Sequence, residues 1–194
     1  KFKVWKKLKK NKISKNWLNK QRRDIYVRKS KLEGYRSRAI YKLKEIDDKF
    51  KIIRNGIKVV DLGSAPGSWS QYLSEKSKNS KILSIDLKDI DKINNVTHMI
   101  GDFLDEKNQK IISNFFENKL DLIVSDMAVN TTGNKNLDAI STGELSINAM
   151  KFSARNLKQN GIFVSKIFMG STFNEIVENG KKNFKEVKVY KPPS

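Results

Sequence analysis

The chain has 194 residues, with 40 Lys and Arg against 21 Asp and Glu, one His and no Cys. That length suits one domain of about 100–200 residues, with at most an appendage, and the absence of cysteine excludes disulfide scaffolds, Cys-ligated zinc, iron–sulfur clusters and thiol nucleophiles. His98 alone rules out a His-rich metal site, no apolar run reaches the roughly 18 residues of a membrane span, and the Lys/Asn-rich start lacks the apolar stretch of a secretory signal; a soluble, cytoplasmic protein is expected.

The charge is concentrated at the start. Residues 1–38 carry 16 Lys and Arg and 2 acids, a net +14, against +5 for residues 39–194. Lysines interleaved with Trp5, Trp17, Tyr26 and Tyr35 fit a polyanion, because neutralised phosphates release counterions and aromatic faces stack on bases. A solvated basic tail is the plainer alternative. Within this arm, residues 1–13 are too rich in lysine to bury a face and are expected to be disordered or loosely helical. Trp17, Leu18, Ile25, Tyr26, Val27 and Leu32 then predict one or two short helices ended by Gly34.

Ser37 is the expected N-cap of a helix with Ala39, Ile40, Leu43, Ile46 and Phe50 along one face. Lys42 and Glu45 fall off that stripe, toward solvent or a cleft. Beyond Asn55-Gly56, strands are predicted at Ile57–Leu62, Lys81–Asp86, Val96–Ile100, Leu120–Ser125, Gly161–Ile167 and Phe184–Tyr190. Helices are predicted near 69–77, 105–118, 141–159 and 172–182. This alternation predicts an α/β fold with a doubly wound, mostly parallel sheet, in which ligands bind beyond the carboxyl ends of the strands.

The chemistry-bearing residues lie just there. The first strand runs into Asp61-Leu62-Gly63-Ser64-Ala65-Pro66-Gly67-Ser68-Trp69, a small-residue loop opening a helix. Gly63 and Gly67 permit close backbone approach to a ligand, and the helix N-terminus offers free N–H groups. By itself the loop fits a dinucleotide site, a methyl-donor site or a tight structural turn. Asp86 ends the second strand, where a carboxylate can accept from ribose hydroxyls; Asp102 follows the third and Asp126 the fourth. Three acids at successive strand ends, with no Arg or Lys in the glycine loop, suit a cationic adenosyl ligand such as S-adenosylmethionine better than a pyrophosphate. Trp69 alone also reads as core, and His98 as a satisfied structural residue. Asp86, Asp89 and Asp91 lack the glycine and terminal Glu of a calcium loop, so no metal is expected.

Arg36-Ser37-Arg38-Ala39-Ile40-Tyr41-Lys42-Leu43, the stretch VVDLGSAPGSWSQ, the stretch SDMAVN and Val164-Ser165-Lys166-Ile167-Phe168 together resemble the FtsJ/RrmJ family of S-adenosylmethionine-dependent RNA ribose 2′-O-methyltransferases. The match runs in order from about Trp17 to Pro193. Asn16-Trp17-Leu18 followed by Asp24-Ile25-Tyr26-Val27 is similar to the bacterial branch that methylates a uridine in the A-loop of large-subunit rRNA. The resemblance implies a Rossmann-like class I methyltransferase domain over 37–194, behind a basic RNA-binding extension over 1–36. It implies catalytic roles for Lys42, Asp126 and Lys166, and cofactor contacts at Gly67, Trp69, Asp86, Asp102 and Asp126. It further implies a monomer acting on the large ribosomal subunit, away from membranes. Ser68 and Val129 stand where the family usually has Gly and Pro.

The family's fourth catalytic residue, a Glu ahead of a last antiparallel strand, is expected after Ser194, so the chain reads as lacking that strand. Methyl transfer to a ribose 2′-OH needs a base as the oxygen attacks in line. Lys166 is the candidate, and it serves only as a neutral amine. A tRNA ribose methyltransferase of the same family and a non-catalytic ribosome-assembly factor are the alternative readings.

Overall fold

The computed structural model describes residues 24–117, 119–129 and 132–194. Most of the basic arm, with Trp5, Trp17 and the Asn16-Trp17-Leu18 motif, lies outside the described residues. The chain then runs through α1 (Ile25–Leu32), α2 (Ile40–Phe50), β1 (Lys58–Leu62), α3 (Ser68–Lys76), β2 (Lys81–Asp86), β3 (Val96–Ile100), α4 (Glu106–Phe116), β4 (Leu120–Ser125), α5 (Lys135–Asn156), β5 (Leu157–Ser165) and α6 (Phe173–Asn183).

The strands form one sheet in the order β3-β2-β1-β4-β5, every pair parallel. β1 is central, and its alternation splits the core in two. Val59 faces a cluster with Ile40 and Leu43 of α2 and Trp69 and Leu73 of α3. Val60 and Leu62 face Ile112 and Phe116 of α4 and Phe152 of α5. Helices therefore cover both faces, as parallel strands buried on both sides require. Chain order reverses between β1 and β4, opening a crevice at their carboxyl ends where this fold receives ligands.

Three expected boundaries move. The helix expected at 141–159 begins at Lys135, because the Asn134 side chain accepts the N–H groups of Asn136 and Leu137 and caps it six residues earlier. β5 starts at Leu157: a register shift against β4 absorbs residues between Leu157 and Ile162, with Asn160 at φ +64°. Ser37 is no direct cap; its hydroxyl accepts the Ala39 N–H and pairs with the Ser68 hydroxyl, and the helix proper starts at Ile40.

The strand expected at Phe184–Tyr190 is not formed. Those residues have no ladder partner among the described residues and are held by side chains instead, Phe184 stacked on Phe163 and Tyr190 edge-on to Phe50. Period-2 patterning favours extended backbone, but a strand also needs a neighbour to bond.

Candidate active site

The loops leaving β1 and β4 touch. Gly63 has φ +73°, and a Cβ there would lie 2.5 Å from Met127 Cγ and 2.8 Å from its Cα, so only glycine admits this approach. Gly67, at φ +102°, caps α3, with no side chain capping the helix's first N–H groups. The glycine loop is tied to the end of β2: the N–H groups of Gly63 and Ser64 donate to the Ile85 carbonyl, and that of Ala65 donates to Asp86 Oδ2 at 2.9 Å. Asp86 Oδ1 takes the Lys88 N–H, leaving each oxygen a lone pair to accept from a ligand. The N–H of Gly101 donates to the Asp86 carbonyl, which sets the exposed Asp102 beside it across β2 and β3.

Trp69 behaves differently from a pocket side chain. It is 3% exposed, packs against α2, and its indole N–H donates to the Ala39 carbonyl. Its side chain belongs to the core, and only its backbone, in the first turn of α3, faces the loop. His98 is satisfied by the Ser84 hydroxyl and the Lys88 carbonyl.

A second cluster lies at the ends of β4 and β5. Lys166 follows β5 directly, and its N–H still donates to the Ser125 carbonyl. Its Nζ sits 2.7 Å from Asp126 Oδ1 and donates to the Asp126 carbonyl at 2.8 Å. Asp126 is fixed in turn by its N–H to the Leu62 carbonyl. Lys42, from α2, joins the same field. Burial holds its ammonium below the usual lysine range, helped by repulsion from Lys166 and Arg38 and opposed by Asp126. One carboxylate thus serves two lysines.

One residue escaped the reading of single side chains. Asp61, inside β1, is fully buried; its Oδ2 accepts the Ser70 hydroxyl at 2.6 Å. Burial pushes its carboxyl up to about 7, with repulsion from Asp126 and Asp86 adding to the rise and the Ser70 hydroxyl opposing it. The signal was available: an acid among Val59, Val60 and Leu62, in a strand with no solvent face. Asp61 Oδ1 and Ser64 Oγ are buried atoms without a hydrogen-bond partner. Buried acceptors left over beside a glycine loop fit a cationic, hydrogen-bonding group, as S-adenosylmethionine is. Among the described residues, no group of three or more His, Cys, Asp or Glu is placed to hold a metal ion, and no helix is long and apolar enough to cross a membrane.

Comparison with known proteins adds a consistent picture. Residues 35–194 match the FtsJ-like methyltransferase family. The chain is 60% identical over 187 residues to Ribosomal RNA large subunit methyltransferase E of Pelagibacter ubique, covering 96% of this chain and 92% of that one. The protein of the same name from Legionella pneumophila is 44% identical, over 93% and 89% of the two chains. Among solved structures, a Plasmodium falciparum protein described as a ribosomal RNA methyltransferase superposes with a TM-score of 0.72 at 34% identity, covering 81% of this chain and 91% of that one. A TehB-like SAM-dependent methyltransferase from Corynebacterium glutamicum, 19% identical with a TM-score of 0.52 over 86% and 80% of the chains, shares the fold alone.

Proposed function

The chain belongs to the FtsJ-like methyltransferase family, and from that membership we propose that it methylates large-subunit ribosomal RNA, transferring the methyl group of S-adenosylmethionine to a ribose 2′-hydroxyl, that of a uridine in the A-loop. The observation carrying this reading is the convergence of Lys42, Asp126 and Lys166 beside a crevice with unpaired buried acceptors.

When bound, the cofactor supplies an electrophilic methyl on a cationic sulfonium. Gly63 and Gly67 would let backbone N–H groups approach it, Asp86 would accept from its ribose hydroxyls, Asp102 from its adenine amino group, and Asp126 and Asp61 would offset its positive charge. Lys166 is the general base. Its Nζ, held 2.7 Å from the Asp126 carboxylate, would take the 2′-hydroxyl proton. Lys42 places a further donor against the reacting ribose. Residues 1–36 form the RNA-binding extension and 37–194 the methyltransferase domain, in a cytoplasmic monomer.

The test is methylation of undermethylated large ribosomal subunits and, separately, of tRNA with labelled cofactor, followed by mapping of the label. Label on one ribose 2′-oxygen in large-subunit rRNA is the expected result. Label confined to tRNA, or binding without transfer, would refute it.

A further inference from the structure

The chain between α1 and α2 is laced to the start of α3. The Gln71 side chain donates to the Gly34 carbonyl and accepts the Arg36 N–H, the Ser37 and Ser68 hydroxyls meet at 2.7 Å, and the Trp69 indole reaches Ala39. From this segment the Arg36 side chain reaches out. Its Nη1 donates to the Pro66 carbonyl and its Nη2 to the Lys92 carbonyl, each at 3.1 Å.

Those two carbonyls belong to different loops. Pro66 lies in the glycine loop, next to Gly67; Lys92 lies in the connection after β2, downstream of Asp86. The contact over Gly67 is close: a Cβ there would come within 2.8 Å of Arg36 Nη1, 3.1 Å of Ile93 Cδ1 and 3.2 Å of Ile90 Cδ1. Gly67 therefore makes room for the guanidinium, whose planar fork serves two acceptors at once, as a lysine cannot.

We propose that Arg36 is a positioning residue for cofactor binding: its guanidinium clamps the loop after β1 to the loop after β2 and so fixes the spacing between Gly67 and Asp86. The inference rests on the S-adenosylmethionine reading above and goes beyond it, because Arg36 acts through carbonyls rather than on the ligand. It also ties the basic arm to the cofactor loop, since α1 and Arg36 are separated by only a few residues. The side chain lines an open cleft of about 280 Å³ together with Gln71, Lys92 and Ile93, on the side away from Asp86. Shortening it leaves water behind and no core cavity.

The experiment is calorimetric titration of S-adenosylhomocysteine into the wild-type protein, Arg36→Lys and Arg36→Ala, with urea unfolding and steady-state methylation on the same samples. Without the clamp the two loops sample other spacings, and a binding-competent fraction of about one in ten predicts about tenfold weaker binding for Arg36→Ala, with Arg36→Lys in between. The cofactor KM should rise in parallel, while kcat stays within about twofold and urea unfolding stays cooperative, with a midpoint lowered by no more than two exposed hydrogen bonds account for. Equal affinities across the three proteins, or a rise confined to the KM for RNA, would overturn the clamp. Failure of the wild type to bind S-adenosylhomocysteine would instead refute the cofactor reading, and the clamp with it.

Discussion

Asp61→Asn isolates the electrostatics of the crevice floor. The Asp61 carboxyl is fully buried in β1 and pushed up to about 7 by burial and by the neighbouring Asp126 and Asp86, from 3.8 for an ordinary aspartate. In the unfolded chain it ionises near that ordinary value. Between roughly pH 4 and 7 the folded protein therefore holds a proton that the unfolded chain has released, and stability falls as pH rises through this window, then levels off. A rise from 3.8 to about 7 corresponds to about 4 kcal/mol in all, of which about 2–3 kcal/mol falls between pH 5 and pH 8. Asparagine keeps an oxygen for the Ser70 hydroxyl and has nothing to titrate. Urea unfolding of both proteins at pH 5 and pH 8 is the assay. The wild type should lose about 2–3 kcal/mol more than the variant between the two pH values. Parallel losses would show that Asp61 ionises normally and refute the argument from burial.

Gly63→Ala forces a Cβ into Met127 at positive φ, so S-adenosylhomocysteine binding should disappear in calorimetry and stability should fall by about 1–3 kcal/mol. Tyr72→Phe removes the donor to buried Asp47 Oδ2, which urea unfolding should register as a loss of about 1.5–3 kcal/mol. Lys166→Arg keeps the charge beside Asp126 but cannot accept a proton; single-turnover methylation should slow at least about a hundredfold with S-adenosylhomocysteine affinity retained, and full activity would exclude Lys166 as base. With 11 Lys and Arg and no acid in residues 1–23, RNA affinity in a filter-binding assay should fall by at least about tenfold between roughly 50 and 200 mM salt; a flat response would remove the arm from RNA binding.

Where sequence reading succeeded, the signal was local. β2, β3 and β4 have the bounds that the apolar runs predict, and the glycine loop, Asp86, Asp102 and Asp126 stand at strand ends as spacing required. Where it failed, the deciding partner was remote. Asn134 as a cap depends on the path of a loop, the shift in β5 on β4, and the irregular course of Phe184–Tyr190 on the lack of a neighbouring strand among the described residues. Trp69 reads from the sequence as a cofactor contact or as core, and the structure turns its indole N–H to the Ala39 carbonyl.

Sequence alone therefore determined the succession of strand–helix units, the charged arm and the family, because period, turn residues and motif order are properties of neighbours along the chain. Tertiary structure decided which strands are adjacent, and with that the β4–β5 pairing that sets Lys166 beside Asp126 and the packing that puts Lys42 in the field of the same carboxylate. It also decided that Asp61 is buried and that Arg36 spans two loops. Desolvation and through-space fields depend on what surrounds a group in three dimensions, and the order of residues does not state that.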